Sequence, residues 1–511
     1  MTTHPSQSPR AVGRRAFTLG AAGGAVLFAA TRTLPVSAEP APGLVLTAGP
    51  GQRRLGRDFL GVNGARIISA DNARQWHDPA FADALAALGP GLLRVQGGTT
   101  SQWIDWRTGL FRDIAGGDFA GRNDGRPPLL LTDWAELIRR TGATPVFDLN
   151  VVNSTLDDQL DMLREARRLG MAVRYVELGN ELWVPMSRYT AVFATGADYA
   201  RAMNDWIAAI RTEFPDVAIG VAAVVEGMLG SALDQRLSGW NQGLYDTIRG
   251  ADAVVFHPYW IVDPISADLS STAAGGCAAW NSLARHSFPN VPAGLDIWLT
   301  EYNQMGQEAI PPLNLLPALP QTWVGALSVA SFTVRALLEP RVRMAVVHCA
   351  LNGAPSGDTG GGGTTNQALH ALIADGSGGS QLYGRTALNW ALAPIYHAVT
   401  GATDVRPLAL GSDLEIPAVL LEPTTAGLVD AFTGAELTAD GRTSAILINV
   451  SDRVLPVALP PELAGAQATI YTASPTATPA FAPGDTVSQT RTSVAGTCTL
   501  PPYSLVTLHQ V

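Results

Sequence analysis

The chain contains no lysine; all 34 basic residues among its 511 are arginines. They form no run, and the formal net charge is −10. Phosphate binding needs a clustered basic face, so nucleic acid is excluded as a partner. Cysteine is scarce too: Cys277, Cys349 and Cys498 are an odd, widely spaced set without Cys-x-x-Cys or metal-ligand spacing. Buried thiols are expected; a bridge between two of them stays open in an oxidising compartment. Charged residues make up 15% against 47% hydrophobic, a balance that excludes disorder. No Gly-x-Ser-x-Gly is present, which removes the nucleophile-elbow hydrolases. His257, His348 and Asp148 are single, without the paired His and Asp of a metal-dependent barrel hydrolase. Neither a metal nor a cofactor is implied.

The first 38 residues read as an address and not as structure. Pro9 to Arg15 are basic and polar, with Arg14 and Arg15 adjacent, and Ala16 to Ala30 form an apolar run. That run is too short, and too rich in Gly and Ala, to span a bilayer, so no stable membrane anchor is expected. Val36-Ser37-Ala38 offers the small residues that a signal peptidase reads. The order Arg14-Arg15-Ala16-Phe17-Thr18-Leu19 resembles a twin-arginine signal, which implies a secreted or periplasmic protein.

The remaining chain exceeds one ordinary core and predicts a large domain followed by a smaller one. Eight apolar segments rich in β-branched and aromatic residues recur: Phe59–Ile68, Gly91–Gly98, Thr144–Val151, Arg174–Glu181, Val217–Ala223, Ala253–Trp260, Asp296–Asn303 and Arg343–Gly353. Helical patterns separate them, among them Pro79–Leu88, Leu156–Leu169 and Ala197–Phe214. Continuously apolar strands alternating with helices indicate a parallel sheet buried on both faces, and eight such units predict a (β/α)8 TIM barrel over residues 59–402. From about residue 403 to 511 short alternating segments broken by Pro and Gly predict an antiparallel β-sandwich, joined by a strand from residues 39–58. The tracts Gly357–Gly363 and Gly376–Gly379 follow the eighth segment and read as a rim loop.

Barrel enzymes place reactive groups at the C-terminal ends of strands. Segment four ends Glu177-Leu178-Gly179-Asn180-Glu181, and segment seven ends Thr300-Glu301-Tyr302-Asn303. Hydrolysis of a glycoside with retention needs two carboxyls about 5–5.5 Å apart, one to protonate the leaving oxygen and one to attack the anomeric carbon. Glu181 and Glu301 are the expected pair, with Glu177 an interior group.

Here the residues resemble the clan of retaining barrel glycosidases that carry the acid/base after strand four and the nucleophile after strand seven. Tyr175 to Glu181 is most similar to heparanase, β-glucuronidase relatives and the α-L-arabinofuranosidases; Trp298 to Asn303 is similar to the β-xylosidase and iduronidase group. The resemblance implies that Glu181 is the acid/base and Glu301 the nucleophile. It also implies that Arg94 holds Glu301 ionised, that Asn180 bonds the hydroxyl beside the anomeric carbon, and that His257 and Tyr259 orient the nucleophile or line the sugar subsite. Trp183 and Trp260, with Trp103 and Trp106, lie just beyond strand ends, where aromatic faces can stack on sugars. For His348 an interior position is the reading preferred. The expected partner is a carbohydrate. Arg66, Arg107, Arg188 and Arg385 leave uronides and neutral sugars both open. Two alternatives stand beside hydrolysis: a barrel that binds carbohydrate without turnover, and transfer of the sugar to another acceptor.

Overall fold

A computed structural model describes residues 44–510 apart from 57, 65–69, 115–116, 118, 228–234, 264–267, 306–318, 352–368, 375–380, 412–413, 481 and 483. The expected address and both glycine tracts lie outside the described residues.

Eight parallel strands close into a barrel in chain order: Leu60–Asn63, Leu92–Val95, Thr144–Asp148, Tyr175–Leu178, Ala218–Ala222, Ala253–Phe256, Asp296–Leu299 and Val342–Val347. They are numbered one to eight below. Each falls within its expected segment, except that strand eight begins one residue earlier. The helices between them start where local chemistry supplies a cap. Asp78 accepts from Ala80 N ahead of Pro79–Leu88, and Thr155 accepts from Asp158 N ahead of Leu156–Arg168.

Side chains alternate across a strand, so every second residue enters the barrel. Leu92, Val146, Ala253, Val255, Trp298, Met344 and Val346 form an apolar plug of their own, separate from the core under the helices. Trp298 is the bulkiest member. Gly220 makes room for it, since a Cβ there would come within 2.7 Å of the indole. The period of two then dictates what lies above the plug. Two residues on from Leu92, Val146, Tyr175, Val255, Trp298 and Val346 stand Arg94, Asp148, Glu177, His257, Thr300 and His348, all buried. The barrel is greasy below and polar above.

The C-terminal region is antiparallel β. Leu44–Ala48 lies antiparallel to Asp404–Leu410 on one side and parallel to Leu455–Ala458 on the other. One hairpin is built elsewhere. Glu415–Glu422 and Thr425–Asp430 form a four-stranded sheet with Tyr259–Val262 and Asn303–Gln304, which extend strands six and seven of the barrel. An alternating strand satisfies any open edge, so its pattern alone did not reveal this partner. All three cysteines are free and buried. Among the described residues no helix is long and apolar enough to cross a membrane.

Candidate active site

Arg94 organises the polar end of the barrel. Its side chain is fully buried, and its donors reach four partners on, or just past the ends of, three other strands. Nε donates to Glu177 Oε2 at 2.9 Å and Nη1 to Glu301 Oε1 at 2.6 Å. Nη2 donates to Asp148 Oδ2 at 3.2 Å and to Asn180 Oδ1 at 2.9 Å. Burial opposes the charge of Arg94, but Glu177, Asp148 and Glu301 outweigh it and raise its pKa, so the guanidinium stays charged. Burial also pushes the Asp148 carboxyl upward, against the pull of Arg94 and of the Ser101 hydroxyl, which donates to it at 2.7 Å.

Glu301 is positioned by strand seven and by both of its oxygens. Oε1 faces Arg94; Oε2 accepts from the Tyr259 hydroxyl at 2.6 Å and lies 3.6 Å from His348 Nδ1. Burial alone would raise its pKa. His257, His348, Arg94 and the Tyr259 hydroxyl reverse that and hold Glu301 well below the usual carboxylate range. The Tyr259 phenol moves the other way: burial and the neighbouring carboxylates keep it protonated, so it remains a donor.

Glu181 is presented differently. Gly179 has φ +87° and Glu181 itself φ +46°, a left-handed conformation that costs a non-glycine residue about 1–2 kcal/mol. The strained turn carries the carboxylate away from the wall of strand four. His257 Nδ1 lies 3.0 Å from Glu181 Oε1, while its Nε2 lies 3.1 Å from Thr300 Oγ1. Burial would lower the His257 pKa, but Glu301 and Glu181 raise it above the ordinary value. Side-chain exposure separates the two glutamates, 21% for Glu181 and 6% for Glu301.

One oxygen of Glu181, one of Glu301 and a ring nitrogen of His257 all lie within 4.8 Å of one another. Among the described residues these three could approach a common cation. Their atoms are already engaged, however, since Arg94 neutralises Glu301 and His257 faces Glu181. The separation suits a sugar C1 between two carboxylates. Asn180 adds a donor: its Nδ2 is buried and has no partner among the described residues, so a ligand hydroxyl would satisfy it.

No family model matches the chain, and no curated protein does. Solved structures do. The fold is that of the family 51 α-L-arabinofuranosidases. The enzyme from Thermotoga maritima, solved as an arabinose complex, aligns with a TM-score of 0.65 at 14% identity, covering 92% of this chain and 100% of that one. The family 51 enzyme from Bifidobacterium longum gives 0.66 at 15% identity over 92% and 100%. That from Xanthomonas axonopodis pv. citri gives 0.65 at 15% over 91% and 99%. The likeness takes in the barrel and the β region together.

On this arabinofuranosidase fold the structure brings together Arg94, Asn180, Glu181, His257, Tyr259 and Glu301. Trp260 is not among them. Tyr259 points to Glu301, so its neighbour in an extended strand must point away. Trp260 is fully buried, stacked on Phe332 at 4.9 Å with Nε1 donating to Ser328. Trp183 packs against the main core and is 8% exposed. Trp103 is buried against Phe119 and Tyr189, and Trp106 bonds Asp158. His348 is interior, as its reading expects, and in addition its Nδ1 sits 3.6 Å from Glu301 Oε2. Asp148 and Thr300 were also missed as parts of this network. The signal available was their parity, two residues beyond apolar positions that face into the barrel.

Proposed function

We propose that the protein is a retaining glycoside hydrolase in which Glu301 is the nucleophile and Glu181 the acid/base. The observation carrying this reading is the pair of glutamates with oxygens no more than 4.8 Å apart, at the polar end of the barrel. That spacing favours direct attack by a carboxylate over attack by an interposed water, which needs about 6.5–9.5 Å. In the first step Glu301 attacks C1, the C1–O bond breaks, and the proton of Glu181 passes to the leaving oxygen. In the second, Glu181 takes a proton from water as the water oxygen displaces Glu301. Asn180 and Tyr259 hold the sugar and the nucleophile while charge develops.

α-L-Arabinofuranosides are the first substrates to test, because proteins of this fold carry that name. The arginines considered for a uronate support a neutral sugar. Arg107 is paired with Asp158 and Asp161, Arg188 donates to Asn153, and Arg385 donates to Asn389 and lies over Trp390. Arg66 lies outside the described residues. The decisive measurement is the anomer formed first from an aryl glycoside, followed by proton NMR. Retention is expected; inversion would remove Glu301 as nucleophile.

Export belongs to the same proposal. It rests on Arg14-Arg15 ahead of the Ala16–Ala30 run and on Val36-Ser37-Ala38. Mass spectrometry of the exported protein should place the mature N-terminus after Ala38, and changing both arginines to lysine should hold the full-length chain in the cytoplasm. Unchanged export of that variant would defeat the twin-arginine assignment.

A further inference from the structure

We infer that the hairpin Glu415–Asp430 forms a wall of the substrate cleft, and that Glu422 acts there as a charge filter favouring neutral, hydroxyl-bearing sugars over carboxylated ones. The inference rests on the proposed glycosidase site and adds its substrate class.

The argument is one of register. Along Tyr259–Val262 the side chains alternate. Trp260 and Val262 pack toward the helix Leu269–Ser282, where a Cβ on Gly275 would meet both. Tyr259 and Ile261 therefore face the opposite side, the side of Glu301. Ile261 is buried, yet it stands outside the main apolar core that includes Trp260 and Val262. The hairpin strand pairs Leu420 with Val262 and Glu422 with Ile261, so Leu421 is skipped by a bulge. Without the bulge Glu422 would share the face of Leu420, which is in the core. With it, Glu422 is turned to the face of Ile261 and Tyr259, the kind of re-aiming that bulges perform beside active sites. The tip is fixed as well: Thr424 N donates to Gly227 O, just past strand five.

Glu422 is half-buried, and its carboxylate has no hydrogen bond or ion pair among the described residues. Its oxygens are not among the buried atoms that lack a partner, so they face solvent. Burial raises its pKa, with no cation to offset it. The distance is right for a sugar group. Tyr259 and Ile261 are about 6.6 Å apart along the strand, and Glu422 lies about 5 Å across from Ile261. An acceptor placed there takes hydrogen bonds from hydroxyls. It also repels a sugar carboxylate brought beside it.

The test compares wild type, Glu422→Gln and Glu422→Arg, each checked for an unchanged melting curve. Calorimetric titration with arabinose and with glucuronate gives an affinity ratio, and the change in that ratio on substitution cancels the difference between the rings. The arabinose-to-glucuronate ratio should fall about tenfold in Glu422→Gln and further in Glu422→Arg. An equal ratio in all three proteins would overturn the inference. Hydrolysis of aryl α-L-arabinofuranoside and aryl glucuronide is measured in parallel. Absence of turnover with a shifting binding ratio would end the hydrolase reading and leave the filter standing, whereas turnover with a fixed ratio would do the reverse.

Discussion

Glu301→Ala should abolish turnover on every glycoside, by at least about 10⁴-fold, equivalent to about 5.5 kcal/mol of transition-state stabilisation. The size follows from the role. Arg94, Tyr259 and His348 surround Glu301 and hold it anionic, so removing it leaves the Arg94 and Tyr259 donors aimed at an empty site and no atom to form the glycosyl bond. Added azide or formate should enter the space and attack in its place. The product would then be the glycosyl azide or formate of inverted configuration, because a single displacement replaces two. Loss of only a few-fold would mean that Glu301 is not the nucleophile, and a barrel that merely binds carbohydrate would become the better reading.

The network around Arg94 explains how the Glu301 carboxylate tolerates burial. Three carboxylates, Asp148, Glu177 and Glu301, share one guanidinium. An isolated carboxylate at that depth would take up a proton. Here the pressure is distributed unevenly: Asp148 is driven upward, whereas Glu301 also has the Tyr259 hydroxyl and two histidines and is driven down. The arrangement drives the ionisation of two neighbouring carboxyls in opposite directions by environment alone.

The barrel was legible because its strands are buried on both faces and therefore continuously apolar. Leu92-Leu93, Val146-Phe147 and Val254-Val255-Phe256 leave no other use for such residues. The ends of strands four and seven were legible because Glu181 and Glu301 interrupt that apolar run where the barrel opens. What was not legible depended on direction. Tyr259 and Trp260 are equally aromatic and adjacent in sequence, yet strand pleating sends one to Glu301 and the other to Phe332, and only a fixed register decides which. Asp148 and His348 seemed unpaired because their partners lie 54 and 47 residues away and meet only when the barrel closes. The hairpin Glu415–Asp430 alternates as a sandwich strand does, and nothing local marks that its edge belongs to the barrel.

Glu181→Ala should separate the two chemical steps that Glu301→Ala removes together. An aryl glycoside with a good leaving group needs little protonation, so attack by Glu301 should survive. A substrate with a sugar leaving group should lose about 10²–10⁴-fold, the usual worth of general acid catalysis. Water then has no base to deprotonate it, and the glycosyl-enzyme on Glu301 should accumulate, visible in mass spectrometry as a shift of one sugar residue. Azide needs no base. It should release the intermediate as a glycosyl azide of retained configuration, opposite to the product from Glu301→Ala. His257 sharpens the test, since its Nδ1 lies 3.0 Å from Glu181 Oε1 and could take over proton transfer once the carboxylate is gone. The double variant Glu181→Ala/His257→Ala distinguishes the cases. Accumulation in the single variant, with azide rescue unchanged in the double, assigns the proton to Glu181. Full activity in the single variant that vanishes in the double would move the acid/base role to His257.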